Sequence, residues 1–293
     1  MKLTQKELSQ THRVVVYGPP SIGKTQLVGE LSQYKSMIWF DLDNGYKTLL
    51  KFPEEWKERI EIISLPDTKS FPIAIETMLK AIRGGPGKIC ETHGKWNCPK
   101  CTAEKAAFTE VHFNALTPDT VVVVDSLTQL TSSALSHITQ GKADDYKIQT
   151  DDWGSLAKLM EVFLSHVQQA PFNIVCISHE LDTEKDEKAP ERLAPVSGSR
   201  NSSKNTARYF DEVIRGEISN KKHRFYSSTT SALNFVASSR TGFRIEDLEV
   251  PSLVPLFCPE KRPVTMPVTV QPPTQEATMS SKLQSILDRQ KGK

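Results

Sequence analysis

The sequence lacks any apolar segment long enough to cross a membrane. Its 293 residues contain no run of 18 apolar residues, and the first eight, MKLTQKEL, lack the apolar stretch of a secretion signal. Cysteine is also scarce, and the five present are an odd number for a framework of paired disulfides. These absences predict an intracellular, cytoplasmic protein that makes no membrane contact.

The sequence also lacks an excess of charge of one sign. Lys and Arg together number 37 and Asp and Glu 35, so the formal net charge is +2. Any surface that binds nucleic acid must therefore be a local patch. A hydrophobic fraction of 38% and a charged fraction of 25% are ordinary for a globular protein, and the length suffices for one large α/β domain. We predict one folded domain over residues 1–250.

The most specific motif lies near the start of the chain. Residues 18–25, GPPSIGKT, match G-x-x-x-x-G-K-[ST], follow the apolar run Arg13–Tyr17 and precede a segment typical of a helix. This pattern predicts a phosphate-binding loop, in which Lys24 reaches the β/γ-phosphates and Thr25 holds Mg²⁺. An ordinary Gly-Pro turn is the alternative. The nucleotide would contact Gly18, Pro19, Pro20, Ser21, Ile22, Gly23, Lys24, Thr25 and Gln26.

Apolar runs alternate with helical patterns over the rest of the domain. Strands are predicted at 37–41, 60–64, 121–125 and 173–178, and helices at 71–83 and 156–167. Near-continuous apolar strands between helices favour a mostly parallel sheet that is covered on both faces. After Phe210, short strands with polar connections predict an antiparallel extension at one edge of the sheet.

Polar residues follow several of these predicted strands. Asp125 ends the run VVVVD, where its carboxylate would help Thr25 to hold Mg²⁺. Asp41 and Asp43 follow the second strand and are candidates to orient the attacking water; the alternative is that both cap the next helix. His179, at the end of the strand 173–178, is a candidate sensor of the γ-phosphate or, alternatively, an ordinary turn residue.

Three of the five cysteines lie with a histidine in one short segment. Cys90, His93, Cys98 and Cys101 occupy twelve residues with C-x2-H and C-x2-C spacings. This donor set suits tetrahedral Zn²⁺ in a structural site within an insertion over residues 84–105. Free thiols in an exposed loop are the alternative. Lysines and Trp96 surround the segment, so it is either a nucleic-acid contact or a clip that only stabilises the insertion.

Two further segments carry local positive charge. Residues 192–208 contain four cations and no acid, and residues 221–226 combine cations with Phe225 and Tyr226. Such patches favour nucleic-acid binding, although charge runs are usually solvated surfaces. The segment 141–152 is acidic and does not fit a nucleic-acid contact.

The composition changes beyond Val250. Seven prolines between Pro251 and Pro273 predict an extended linker over residues 251–278. Residues 279–293 then form either a short amphipathic helix that binds a replication or recombination protein, or a disordered tail.

The order of these motifs resembles that of RecA-like phosphate-loop ATPases, and most closely the phage Sak-type single-strand annealing ATPases. The resemblance rests on GPPSIGKT, WFDLD, VVVVDSLTQL, ISHE, YFDEVIR and SSRTG, from Arg13 to Phe243. It implies that Asp43 occupies the position of the family's catalytic Glu, one methylene shorter here. It also implies a γ-phosphate sensor at His179, a DNA loop after it, and a cationic finger at Arg240 that acts in the neighbouring subunit of an oligomer or filament.

Two functions follow as expectations. The first is a Mg²⁺-dependent, DNA-stimulated ATPase that binds single-stranded DNA as an oligomer and promotes annealing or strand exchange in phage recombination or replication, in the cytoplasm of a bacterial host. The second is a nucleotide-switched assembly factor, such as a helicase loader, that acts through protein contacts. Small-molecule phosphotransfer is disfavoured because the sequence shows no second Arg-rich lid for an acceptor phosphate. The expected cofactors are ATP, Mg²⁺ and Zn²⁺.

Overall fold

The computed structural model describes residues 11–184, 192–229 and 234–261. The β-strands in these ranges are β1 (Arg13–Tyr17), β2 (Ser36–Asp41), β3 (Ile60–Ser64), β4 (Gly87–Cys90), β5 (Phe108–Val111), β6 (Thr120–Asp125), β7 (Asn173–Ser178), β8 (Glu180–Asp182), β9 (Leu193–Pro195), β10 (Glu212–Ser219), β11 (Lys222–Tyr226) and β12 (Ser238–Ser239). The α-helices are α1 (Lys24–Gly29), α2 (Glu54–Lys57), α3 (Ile73–Ile82), α4 (Pro99–Ala103), α5 (Leu127–Ile138), α6 (Thr150–Gln169), α7 (Arg200–Lys204) and α8 (Val254–Phe257). Single 3-10 turns connect several of these elements.

The main sheet has the strand order β11-β10-β1-β7-β6-β2-β3, with β12 also paired to β10. Neighbouring strands from β10 to β3 run parallel, whereas β11 and β12 run antiparallel to β10. The strand before the phosphate loop is therefore central, and β7 separates it from the strand that ends at Asp125. This mixed α/β architecture, with a mostly parallel sheet and an antiparallel edge, confirms the predicted fold class, although β10 itself pairs parallel with β1.

The apolar runs of the sequence form the buried centre of the sheet. Val14 to Tyr17 and Val121 to Val124 are fully buried, as expected for strands covered on both faces. Helices α3, α5 and α6 contact one another over the sheet and contribute Met78, Leu130 and Phe163 to the core. This packing holds the carboxyl ends of β1, β2, β6 and β7 at one edge, where the polar side chains collect.

The Cys/His segment forms a small hairpin module between α3 and β6. Strands β4 and β5 pair antiparallel, and α4 lies in the connection between them. Ile89 and Val111 reach the main core, and Thr77 in α3 donates a hydrogen bond to the Gly94 carbonyl at 2.7 Å. The module is therefore attached to the domain by apolar packing and by a buried polar contact.

The predicted linker begins later than residue 251. Leu253, Val254, Leu256, Phe257 and Cys258 are buried, and α8 lies in this stretch. Their apolar side chains outweigh the proline content, so residues 251–261 belong to the folded unit. Residues 262–293, which include most of the predicted linker and the whole predicted tail, lie outside the described residues.

No helix in the described ranges is long and apolar enough to cross a membrane.

Candidate nucleotide and metal sites

The phosphate-loop motif follows β1 directly and wraps into α1. Gly18 and Gly23 have backbone φ angles of +144° and +84°, which residues other than glycine rarely adopt. A Cβ at Gly18 would lie 2.3 Å from the Gly216 carbonyl oxygen and 2.7 Å from Ile22 Cδ1. Glycine at position 18 therefore lets the loop rest directly on β10.

Lys24 is the first residue of α1 and is buried within the loop. Its Nζ donates hydrogen bonds to the carbonyl oxygens of Gly18 at 2.9 Å and Pro19 at 2.7 Å. Burial lowers the pKa of Lys24 to about 8, and the nearby carboxylates of Asp125, Glu180 and Asp43 oppose this shift. A buried cation held by neutral carbonyls is well suited to receive an anionic phosphate.

Thr25 and Asp125 meet although one hundred residues separate them. Thr25 Oγ1 donates a hydrogen bond to Asp125 Oδ2 at 3.2 Å. Burial, and secondarily the negative charge of Asp43, raises the pKa of Asp125 to about 7. A hydroxyl and a buried carboxylate side by side form an oxygen donor pair that suits a hard cation.

Asp41 and Asp43 take different positions beside Asp125. Asp41 pairs in register with Asp125 and is buried; its Oδ1 accepts a hydrogen bond from Gly45 N–H at 2.8 Å, and its Oδ2 is buried without a hydrogen-bond partner among the described residues. Asp43 is exposed and lines the cavity beside the phosphate loop. A Cβ at Gly45 would lie 3.0 Å from the carboxylate oxygens of both Asp43 and Asp125, so glycine leaves the space between them open.

His179 reaches the same cavity from the end of β7. Its backbone N–H donates to Thr128 Oγ1 at 2.9 Å. Ser178, the preceding residue, donates from Oγ to the Val196 carbonyl at 3.0 Å. Burial lowers the pKa of the His179 imidazole, and the Lys24 charge lowers it further. The imidazole is therefore neutral at neutral pH, which allows it to contact a polar group without adding charge.

One cavity of about 250 Å³ joins most of the predicted nucleotide residues. Its lining consists of Pro20, Ser21, Ile22, Gly23, Lys24, Thr25, Gln26, Asp43, Gly45, Thr48, Asp125, Ser126, Ile177, Ser178 and His179. The loop glycines, the buried Lys24 and the adjoining oxygen donors fit a nucleoside triphosphate with Mg²⁺.

Arg240 lies away from this cavity. It follows β12, which pairs with the beginning of β10, the end of the sheet opposite to the phosphate loop. Its guanidinium donates to the Arg208 carbonyl at 2.8 Å and lies 3.8 Å from Asp211. Arg240 therefore does not reach the nucleotide residues of its own chain.

Arg215 is a buried cation at this edge that the sequence analysis did not identify. It pairs in register with Tyr17, the residue before the loop, and its guanidinium contacts Glu180 at 3.1 Å and Glu217 at 2.8 Å. The same guanidinium stacks over the Phe235 ring at 4.7 Å. The sequence signal was its position between the apolar Val213–Ile214 pair and Gly216 in a strand-like segment, since a cation buried there requires carboxylate partners.

The four predicted metal ligands converge in the hairpin module. Their ligand atoms lie within 4.8 Å of one another, and the three cysteines are buried. His93 Nδ1 lies 3.1 Å from Cys101 Sγ and 3.9 Å from the Sγ atoms of Cys90 and Cys98. Zn–S and Zn–N bonds of about 2.3 and 2.0 Å place tetrahedral N and S ligands roughly 3.6 Å apart, so the cluster is compatible with one zinc ion.

Trp96 packs partly against the core beside this cluster. Its ring contacts the main core, a Cβ added to Gly87 would lie 1.9 Å from it, and the side chain is half-buried. Phe225 in the second basic patch is buried, so its ring is not exposed for stacking in the single chain. The nucleic-acid contact of the Cys/His segment stays a prediction.

Comparison with known proteins agrees with this geometry. A family model described as an AAA domain matches residues 10–241. The chain belongs to this family. The AAA-domain match includes the phosphate loop, Asp125, His179 and Arg240, and it ends before α8. Membership of this family supports the prediction that the chain is a phosphate-loop ATPase. The cavity beside the phosphate loop is then the nucleotide site.

Solved structures resemble the AAA domain at low identity. One is described as the RadB recombinase, with 15% identity and a TM-score of 0.38, and the match covers 73% of this chain and 78% of that chain. No curated protein matches.

Proposed function

We propose that the protein is a Mg²⁺-dependent ATPase that binds single-stranded DNA as an oligomer and promotes annealing or strand exchange. The observation that supports hydrolysis most strongly is the single cavity that joins Lys24, the Thr25–Asp125 pair and the exposed carboxylate of Asp43. The Sak-type phage assignment is part of this proposal.

The residues divide the work of binding and hydrolysis. The loop N–H groups and Lys24 would bind the phosphates, and Thr25 and Asp125 would hold Mg²⁺, which would supply positive charge against the phosphates during hydrolysis. Asp43 orients the attacking water, because its carboxylate is exposed in the cavity whereas that of Asp41 is buried and bound to the Gly45 N–H. His179 contacts the γ-phosphate side as a neutral hydrogen-bonding group.

A second cavity supports the binding of a nucleic-acid strand. It measures about 500 Å³ and lies between α6 and the segment 197–209. Hydroxyl and amide side chains of Ser199, Asn201, Ser202 and Asn205 line it. Such groups bind phosphate and sugar oxygens without reading base sequence.

The same groove offers an aromatic ring and a cation. Trp153 is 41% exposed near the start of α6, and Arg208 also lines the cavity, paired with Glu161 at 2.9 Å. An exposed indole provides a stacking surface for an unpaired base. This combination favours single-stranded over double-stranded nucleic acid, since bases in a duplex are already stacked.

The groove is connected to the nucleotide cavity by short hydrogen bonds. The Val196 N–H donates to the His179 carbonyl at 3.0 Å, and Ser178 Oγ donates to the Val196 carbonyl. The groove segment begins at the next residue, Ser197. A shift of His179 on binding ATP would therefore move the start of the groove, which couples nucleotide state to DNA affinity.

The position of Arg240 is consistent with action in a neighbouring chain. Its exposed guanidinium contacts Asp211 and the Arg208 carbonyl, at the end of the sheet opposite to the phosphate loop of the same chain. In an oligomer this cation would approach the γ-phosphate of the adjacent subunit. The Cys/His module would bind one structural Zn²⁺.

ATP turnover with and without single-stranded DNA tests this function. We expect DNA to stimulate turnover, with less stimulation at higher salt because phosphate contacts weaken as counterions compete. Trp153→Ala should reduce the stimulation without changing basal turnover, and Val162→Ala, another exposed apolar side chain on α6, is the matched control. Turnover that responds to a protein partner and not to DNA would contradict the DNA proposal and support the nucleotide-switched assembly factor.

A further inference from the structure

The two ends of the main sheet carry opposite charge. β3 and β11 are its terminal strands, and in the described part of the chain each pairs with a neighbour on one side only. β11 exposes Lys222 and Arg224, whereas β3 exposes Glu61. An unpaired strand edge is a surface on which another chain can dock, and complementary charge selects the partner.

A third cavity lies at the β3 end of the sheet. It measures about 440 Å³, and its walls come from β3 on one side and from the Cys/His module on the other. This volume falls within the range of ligand sites, roughly 300–1,000 Å³. Ile63 and Ile89 give it buried apolar walls, and Glu61 and Glu91 are exposed beside them. Among the described residues that line it there is no cation, so the cavity is apolar and acidic.

The β10–β11 hairpin at the opposite end of the sheet has complementary features. Asn220 and Lys221 form its two-residue turn, with φ angles of +52° and +63°. Such a turn favours glycine at its second position, so Lys221 places a charge where the backbone is strained. Ile218, two residues before the turn, is 53% exposed although its side chain is apolar. The hairpin therefore presents an isoleucine beside cations.

The charges of both surfaces lack partners within the chain. Lys221, Lys222 and Arg224 are exposed, as are Glu61 and Glu91. No ion pair joins any of these five to another described residue. Each surface can therefore accept an opposite charge from outside without breaking a contact of its own.

The aromatic residues of β11 do not provide a stacking surface at this hairpin. Phe225 is buried, and Tyr226 is half-buried with its ring against Phe235 and its hydroxyl donating to Glu217 at 3.0 Å. The tip of the hairpin exposes cations and an aliphatic side chain, without a ring on which an unpaired base could stack. This combination favours an acidic, apolar protein surface over nucleic acid as its partner.

We propose that the β10–β11 hairpin of one copy inserts Ile218 into the cavity between β3 and the Cys/His module of the next copy. Lys221 and Lys222 then face Glu61 and Glu91. Because the two surfaces lie at opposite ends of the sheet, the contact is head-to-tail, and each copy both gives and receives a hairpin. The module completes the subunit contact. The inference rests on the oligomer of the proposed function and is independent of its DNA groove.

Sedimentation velocity of the full chain, with and without ATP and at two salt concentrations, tests this contact. The unchanged protein should exceed the monomer mass of 32.8 kDa, and more so at low salt because salt screens exposed charges. Glu61→Lys and Lys222→Glu should each raise the dissociation constant roughly tenfold or more, since like charges then meet. An equimolar mixture of the two variants should restore association, because each reversed hairpin meets a reversed cavity and the unchanged surfaces meet each other.

Two further variants separate association from folding. Lys221→Gly removes a charge and relieves the left-handed φ, so it should raise the melting temperature and weaken association roughly fivefold. Ile218→Ser should weaken association roughly tenfold and leave the melting temperature unchanged, because the side chain is exposed in the single chain. Glu104→Lys and Lys147→Glu reverse exposed charges outside both surfaces and should change neither quantity.

The possible failures are distinguishable. An oligomer that all four variants leave unchanged, or a mixture that fails to restore association, would overturn this contact and leave the proposed oligomer in place. A monomer under every condition would overturn the contact and also contradict the oligomer of the proposed function; Glu61 and Lys222 would then be charges that keep strand edges apart. Unchanged association with loss of single-stranded DNA affinity in Lys222→Glu would assign the hairpin to nucleic acid instead.

Discussion

The phosphate cavity and the Cys/His module assemble their polar groups in opposite ways. The cavity takes side chains from the ends of β1, β2, β6 and β7, which span residues 20–179. The module takes all four ligands from residues 90–101. The cavity therefore depends on the correct strand order of the whole domain, whereas the module depends on local turns.

The two regions also differ in their apolar support. The cavity lies on a sheet whose central strands are fully buried. The buried cluster in the module consists of the three cysteines, and Ala106 and Phe108 pack against it. Zinc ligation, as proposed for this module, would supply the stability that so small a core lacks. Removing one ligand should consequently affect the module alone.

The largest effect is expected for Cys101→Ser in the module. The unchanged protein should contain one zinc per chain by elemental analysis, and the variant close to none, because structural zinc contributes about 10–16 kcal/mol of apparent binding free energy. Hydrogen exchange should accelerate across residues 84–112 and remain slow in β1 and β6, and ATP affinity should persist. Cys258→Ser, a buried cysteine outside the cluster, is the control. A variant that retains one zinc would exclude the assigned ligand set.

The next largest effect is expected for Asp43→Asn in the cavity. Loss of the group that orients water should lower kcat by about 10²–10⁴-fold, with little change in ATP affinity. Asp41→Asn is the matched comparison, since its carboxylate is buried and holds the turn through Gly45. We expect it to lower the melting temperature more than Asp43→Asn does. If Asp43→Asn and the unchanged protein have equal kcat, a group other than Asp43 orients the attacking water.

Lys24→Ala should weaken ATP binding with no loss of zinc. A hydrogen bond to a charged group contributes about 1.5–3 kcal/mol, which corresponds to roughly a ten- to hundredfold increase in Kd. Calorimetric titration measures the change, and Lys51→Ala, an exposed lysine near the same edge, should leave Kd unchanged. An unaltered Kd for Lys24→Ala would remove the phosphate-loop assignment.

The smallest effect is expected for Thr77→Val, which removes the buried hydrogen bond between α3 and the Gly94 carbonyl. The loss should reduce the free energy of unfolding by about 1–3 kcal/mol, because the buried carbonyl is left without this donor. Thr102→Val, whose hydroxyl donates within α4, breaks a hydrogen bond inside the module and is the control. If only Thr77→Val accelerates exchange at β4 without releasing zinc, the attachment of the module is independent of its metal.

The sequence predicted the local features of both regions. The spacing of the four ligands and the phosphate-loop pattern each lie within about a dozen residues, so no knowledge of strand order was needed. Asp125 was also recognised, because a carboxylate that ends an apolar strand is visible in the sequence itself. Only the structure shows that Asp41 is buried beside Asp125 whereas Asp43 is exposed. This difference depends on the register between β2 and β6, which the sequence does not reveal.

Features that depend on distant partners were missed. Arg215 pairs with Glu180, which is 35 residues away in the sequence. His223 contacts the Ile22 carbonyl of the phosphate loop, which is 201 residues away. The boundary at residue 251 was misplaced for another reason, because proline content was given more weight than the apolar residues Leu253 to Phe257, which pack into the domain. Composition describes the backbone preference of a segment but not whether a surface exists to bury its side chains.

The central position of β1 also affects how the protein is made. Both neighbours of β1 in the sheet, β7 and β10, come from the second half of the chain. At a synthesis rate of about 5–20 residues per second, roughly ten to forty seconds separate the appearance of β1 from that of β10. The Val-rich β1 has no native neighbour until β7 appears, when roughly three fifths of the chain has been synthesised, and it completes its pairing only when β10 follows.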